Sequence, residues 1–306
     1  MKRKGSKEDS MTRAQVTLNP SESKKLIAKG ILEIDFVKRA LKEGIVAIHP
    51  SSTTYFLPEM IAGEKTEGIW VIGMISPRGQ CVEALTQRAF EENGYNELSD
   101  PNNFPFSWIF KKGEMVKQTK LSEILDEMGE GDVYIKGVNA IDTHGYVGTL
   151  IGSLAGGTIG KAVLAQKKKG FHIIYVAGLE KLIPTSIKEV TKEAGRPVTS
   201  DAMGIPCGIF PVKADPFTEI QSLKMLTGVE AIPIAAGGLG GGEGSILMVV
   251  KGEEKQVQEA VKLVKQLKGA KLPEELLSNL VFEKKSFKRR TCHFRPQLID
   301  QCVLHP

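Results

Sequence analysis

The sequence predicts an α/β protein: a Rossmann-like, mainly parallel sheet with helices on both faces, plus a smaller ferredoxin-like α+β unit. Three observations predict it. Short runs that are apolar throughout, such as residues 45–48 and 171–177, read as strands buried on both faces. They alternate with stretches of helical periodicity, the pattern of crossover connections in a sheet covered on both sides. After Pro206 the order becomes strand, helix, strand, strand, helix, which suggests the ferredoxin-like unit.

The elements follow in chain order. Residues 20–43 place Leu26, Ile27, Ile31, Ile34, Val37 and Leu41 at helical spacing, with Ser21 or Ser23 as candidate cap and Gly44 as the stop. A strand at 45–48 runs into the polar turn His49-Pro50-Ser51-Ser52-Thr53-Thr54 and an amphipathic helix. A second strand is expected at 68–76, and 77–108 is less regular, with turn signals at Pro77-Arg78-Gly79 and Asp100-Pro101. Next come a helix at 120–128, a strand at 132–136, a glycine-rich turn, a helix at 157–169 and a strand at 171–177. In the second unit the strands are 207–212, 230–236 and 245–251, and the helices 217–226 and 253–267. The organisation expected is a basic tail over 1–19, the main domain over 20–204, the ferredoxin-like unit over 205–270 and a basic tail over 271–306.

The chain has 306 residues, 41% hydrophobic and 25% charged, an ordinary globular composition. No stretch approaches the ~20 apolar residues that span a bilayer, and no apolar run follows the basic start, so neither a membrane partner nor a secretory leader is expected. Four scattered cysteines point to a reducing, cytoplasmic setting. The formal charge is +5, and Lys284, Lys285, Lys288, Arg289, Arg290 and Arg295 against Glu283 match all of it in one segment. The charge therefore lies at the ends, read as solvated tails, and nucleic acid is not expected as a partner. An RNA-associated role through those tails remains a third reading, which predicts steep salt dependence.

Two loops carry the functional expectation. In the first, Ser51, Ser52, Thr53 and Thr54 follow a strand and open a helix, where free N–H groups and hydroxyls suit an anion, and His49 stands beside them. In the second, Gly156 and Gly157 allow close backbone approach, Thr158 can cap and Lys161 lies one turn into the helix. Each loop alone is also ordinary capping. Two of them in one parallel sheet can converge at the carboxyl ends of its strands, where open α/β folds bind ligands. A phosphorylated small molecule is the ligand expected there.

Residues 44–60 and 136–163 resemble the superfamily that holds ribose-5-phosphate isomerase, glucosamine-6-phosphate deaminase and the CoA transferases. The likeness covers about residues 20–200 and implies a phosphate frame on a Rossmann-like sheet. The isomerases place several carboxylates in the turn that here reads Lys136-Gly137-Val138-Asn139-Ala140-Ile141-Asp142, so only Asp142 matches. The CoA transferases use a glutamate in a Glu-Asn-Gly setting; Glu92-Asn93-Gly94 occurs here but reads first as a helix C-cap.

Asp142, His144 and Lys161 are the candidate catalytic residues, and His49, Ser51, Ser52, Thr53, Thr54, Gly156, Gly157 and Thr158 the candidate ligand contacts. Asp142 and His144 share one turn and suit an acid–base pair, although Asp-Thr-His-Gly is also ordinary turn chemistry. Glu180 and Lys181 read as a solvated turn. The glycine-rich block 237–244 has no helix after it, so it is no dinucleotide fingerprint; it reads as a hairpin, effector or oligomer loop. Cys292, His293, Cys302 and His305 are types zinc accepts, but their spacing matches no common motif, so no metal is expected. No cofactor is expected, and the chain is read as a homo-oligomer. Two functions remain open: an isomerase or transferase on a phosphorylated metabolite, or a non-catalytic ligand sensor of the same fold.

Overall fold

The computed structural model of the chain describes residues 11–63, 71, 74–76, 79–81, 107–116, 121–152, 156–195, 197–203 and 206–273. The expected strand at 68–76, Glu92-Asn93-Gly94 and the Cys/His group near the C-terminus fall wholly or mostly outside these residues. Residues 12–18, grouped by charge with the tail, form strand β1 (Thr12–Leu18), whose alternation buries Val16 and Leu18. Helix α1 (Pro20–Leu32) is started by Asn19 rather than by a serine. Asn19 Oδ1 accepts from Glu22 N–H at 2.9 Å and Glu22 Oε2 accepts from Asn19 N–H at 3.0 Å, with Pro20 at the first helical position. The expected single helix over 20–43 breaks at Ile34, which is extended, before α2 (Asp35–Glu43). The helical spacing runs through the break because Ile34 packs on the same core as Ile31 and Val37.

The main sheet has the order β10-β7-β2-β5-β6, formed by β2 (Ile45–Ile48), β5 (Trp108–Lys111), β6 (Glu114–Val116), β7 (Val133–Gly137) and β10 (His172–Val176). Only β10 with β7 and β7 with β2 are parallel; β2 with β5 and β5 with β6 are antiparallel. The other three sheets among the described residues are wholly antiparallel: β3 (Met74–Ser76) with β4 (Gly79–Cys81); one in the order β11 (Gly208–Lys213), β9 (Tyr146–Ile151), β8 (Ala140–Ile141); and one in the order β1, β13 (Ser245–Gly252), β12 (Glu230–Gly237). This overturns the mainly parallel Rossmann-like sheet. Unbroken apolar runs report burial on both faces, not the direction of the neighbour, which the connection sets. Here Lys112 (φ 50°) and Gly113 (φ 87°) close a two-residue turn that folds β6 back on β5. Likewise the stretch read as a glycine-rich turn is largely the hairpin of β8 (Ala140–Ile141) and β9 (Tyr146–Ile151).

The ferredoxin-like unit is overturned as well. Its expected first strand, β11 (Gly208–Lys213), pairs with β9 instead. The N-terminal β1 takes the vacant edge beside β13 (Ser245–Gly252), with β12 (Glu230–Gly237) on the other side. Helices α7 (Glu219–Thr227) and α8 (Glu254–Leu267) pack on this sheet. Their apolar core joins Leu18, Leu26, Leu223, Met248, Val250 and Val257, so α1 belongs to both units. Leu26 enters this second core while Ile27, Ala28 and Ile31 enter the main one beneath β2 and β7. Gly30 permits the junction: a Cβ there would stand 2.8 Å from Ser222 Cβ and 2.9 Å from its Cα. The opposite face of the main sheet is covered by α4 (Leu121–Glu127) and α5 (Gly157–Lys169), through Ile124, Leu125 and Ala162 packed on Ala47, Ile109 and Tyr134.

Candidate functional site

Strands β2, β7 and β10 run parallel, so their carboxyl ends lie together. From those ends emerge the loop from His49 to Thr54, the residues after Gly137 and a 3-10 turn, Leu179–Lys181. The N-terminus of α5 reaches the same end, since Ile159 of its first turn packs with Val138 and Ala177. The two loops singled out in the sequence thus share one end of the sheet.

The first loop is closed largely upon itself. Thr54 Oγ1 donates to the His49 carbonyl at 2.6 Å and accepts from Ser51 N–H at 3.0 Å, while Ser51 Oγ lies 3.0 Å from it. These bonds satisfy the turn before α3 (Phe56–Ala62), which has no side-chain cap of its own. The loop rests on Gly137: a Cβ there would fall 2.2 Å from Ser51 Oγ. Ser52 is half-buried, and Thr53 is fully buried with its hydroxyl turned inward.

What Thr53 meets is Lys181. Lys181 Nζ donates to Thr53 Oγ1 at 2.9 Å and to the Val138 carbonyl at 2.7 Å. Lys136, 5% exposed, lies nearby and donates to the Gly137 carbonyl at 3.2 Å. Burial first, and then the neighbouring Lys181, bring the Lys136 amine down to about 7. Burial brings Lys181 down to about 8, with Glu180 partly opposing the shift. Buried His49 is held well below its ordinary range by desolvation and then by Lys136, so its ring is neutral, with Nδ1 3.2 Å from Tyr134 Oη. Among the described residues no carboxylate stands within 4.0 Å of either Lys136 or Lys181.

A second polar cluster adjoins the first. Lys24 Nζ pairs with Glu180 Oε1 at 3.2 Å without hydrogen-bond geometry, so neither buried Glu180 oxygen carries a hydrogen bond among the described residues. Glu219, fully buried, accepts from Leu179 N–H at 3.0 Å through Oε2; burial and then Glu180 push it up to about 7. The glycine-rich block reaches this cluster. Gly244 (φ 78°) is so close that a Cβ would stand 2.9 Å from Pro20 Cγ and 3.5 Å from Glu180 Cβ. Glu180 and Lys181, expected as a solvated turn, are instead the hinge between two buried clusters.

The remaining candidates lie elsewhere or do other work. Asp142 accepts from the backbone N–H groups of His144 (2.8 Å), Tyr146 (2.9 Å) and Ile187 (2.8 Å). Partial burial works to raise its carboxyl, but those three bonds outweigh it and hold the group below its usual range. Its carboxylate ties the β8–β9 hairpin to the start of α6 (Ile187–Glu193), and the His144 side chain is exposed. The pairing expected between the two side chains is therefore replaced by a structural contact to backbone. Gly156 (φ 79°) caps α5 in a conformation suited to glycine, with the Phe210 ring 3.3 Å from where a Cβ would be; Gly157 (φ 59°) follows. Thr158 is half-buried, and Lys161 lies on the exposed side of α5.

Lys136 and Lys181 are the functional candidates that sequence reasoning missed. One signal was available: Lys136 interrupts the otherwise apolar run Val133–Gly137, where both faces of the strand are buried. A groove of about 570 Å³ between β1 and α8, lined by Arg13, Val257, Val261, Lys262 and Lys265, is open to solvent. The described residues contain no helix long and apolar enough to cross a membrane and no metal-ligating cluster of three or more His, Cys, Asp or Glu. Comparison of the chain with family models, with curated proteins and with solved structures finds no match in any of the three.

Proposed function

We propose that the carboxyl ends of β2, β7 and β10 bind a small phosphorylated metabolite, of the sugar-phosphate, nucleotide or CoA type. One observation carries the reading: Lys136 is buried and Lys181 half-buried beside it, with no carboxylate within 4.0 Å of either among the described residues. Buried cations are costly unless paired, and an anionic ligand supplies the missing partner. Lys181, already oriented by Thr53 and Val138, is the anion contact, and Lys136 is the second amine of the site. The half-buried Ser52 and the N-terminus of α5 border the same end of the sheet.

Thermal unfolding of the full chain with inorganic phosphate, sugar phosphates, nucleotides and CoA derivatives tests this. A ligand at 100 times its Kd adds about 2.7 kcal/mol of stability. Lys181→Met should abolish that gain; full retention of it in the variant would refute the assignment. The reading includes a cytoplasmic setting, supported by the four scattered cysteines. It also includes a homo-oligomer, supported by Ile232 and Ile234 exposed on edge strand β12.

A further inference from the structure

Lys136 has surroundings that an anion contact alone does not require. It stands in a row across three strands. Tyr175 of β10 is its register partner, and His49 continues β2 on its other side, bonded through its N–H to the Ile135 carbonyl. Strand alternation puts Lys136 on the same face as Tyr134, whose hydroxyl meets His49. The titratable groups facing the amine are thus two phenols, a neutral imidazole and the ammonium of Lys181, and burial raises both phenols. Among the described residues no carboxylate pairs with the Lys136 amine.

Near neutral pH the amine, at about 7, is substantially unprotonated, while an ordinary surface lysine at ~10.4 is almost wholly protonated. A desolvated amine beside a second cation is how a lysine becomes a nucleophile toward carbonyl groups. Exclusion from water, with the residue only 5% exposed, also protects an imine from hydrolysis.

Building on the anion site above, we propose that Lys136 forms an imine with a small phosphorylated aldehyde or ketone whose phosphate is held by Lys181. The Nζ lone pair adds to the carbonyl carbon and the C=O π pair moves to oxygen. Neutral His49 relays the proton from the new ammonium to that oxygen. The nitrogen lone pair then forms C=N as hydroxide departs, and the second N–H proton passes through His49 to that hydroxide, so both amine hydrogens leave in one water molecule. Amine and carbonyl give imine and water, with no oxidant or reductant.

The test is reductive trapping on the full chain: dihydroxyacetone phosphate at pH 7.5, then sodium borohydride, with intact mass and peptide mapping. The expected product is a single adduct on Lys136, adding the mass of the ketone phosphate less one oxygen atom. Dihydroxyacetone without phosphate should label roughly tenfold less, reflecting the lost anion contact. Lys181→Met should move the pH profile of labelling upward, because the neighbouring cation that depresses the amine is gone. An adduct on Lys181 or spread over surface lysines overturns the inference, as does equal labelling by the phosphate-free ketone. No adduct, with phosphate still stabilising the protein, overturns the imine and leaves the anion site standing. No adduct and no stabilisation by phosphate overturns both.

Discussion

Replacing Lys136 by methionine should make the ligand-free protein more stable, and by an amount that depends on pH. The amine falls from 10.5 to about 7 on folding. Below pH 7 both the folded and the unfolded chain hold the proton, so the full cost of a buried ammonium is present, roughly 5 kcal/mol at 1.36 kcal/mol per unit. Between pH 7 and 10.5 the unfolded chain binds more protons than the folded one, so stability rises with pH and the cost fades. Methionine fills a similar volume without the charge, and the gain it brings should be largest at pH 6 and small at pH 10. Stabilities of this order are comparable with that of a whole domain, so the effect is readable. Urea unfolding of both proteins at pH 6, 8 and 10 gives the two curves. A Lys136→Met protein less stable than wild type at pH 6, beside a wild-type curve flat from pH 7 to 10, would refute the reasoning. The amine would then be paired or hydrated.

Three further substitutions separate the clusters. Glu219 rises from 4.5 to about 7 on folding, so its cost is absent below pH 4.5, grows through pH 7 and is full above it, roughly 3 kcal/mol; Glu219→Gln should stabilise at pH 8 and barely at pH 4.5, and equal effects at both would exclude titration as the cause. Gly137→Ala drives a methyl into Ser51 Oγ, 2.2 Å away, and should cost about 1–3 kcal/mol and weaken stabilisation by phosphate; an unchanged melt with an unchanged phosphate response would show that the loop does not rest there. Asp142→Asn turns one of its two acceptor oxygens into a donor facing backbone N–H groups and should cost about 1–3 kcal/mol by urea unfolding, with the phosphate response intact. Loss of that response in a stably folded Asp142→Asn protein would place Asp142 at the ligand.

The parts of this structure legible in the sequence are those decided by local chemistry. Gly157–Lys169 is a helix and Ile45–Ile48 a strand because periodicity and turn residues settle them. The strand-to-helix position of Ser51 to Thr54 was visible for the same reason. What failed depends on partners far away in the chain. Thr12–Leu18 alternates as a strand should, yet its partner is Ser245–Gly252 at the other end of the described chain, and local charge drew it into the tail. Strand direction was lost where the turn residues were not the usual asparagine–glycine pair but Lys112-Gly113. Lys181 is held in place by Thr53, 128 residues earlier, and no window around Lys181 contains that fact.

The two buried clusters bear on each other through the Glu180-Lys181 turn. On one side stand Lys136 and Lys181, without a carboxylate in ion-pair reach among the described residues; on the other Glu180 meets Lys24 while Glu219 is held partly protonated by burial and by Glu180. Neither side is arranged for maximum stability, since exchanging a carboxylate across the turn would relieve both. The separation persists because backbone fixes it: Leu179 N–H binds Glu219, Val138 carbonyl binds Lys181, and the carboxylate of Glu180 lies over Gly178, where a Cβ would fall 1.8 Å from Oε2. Polar strain concentrated where three parallel strands end is strain at the position from which a ligand can be held. An anion bound at Lys181 neutralises one side of the turn. Under the proposed binding it would act on Glu180, which lies beside Gly244 of the glycine-rich loop of the second sheet.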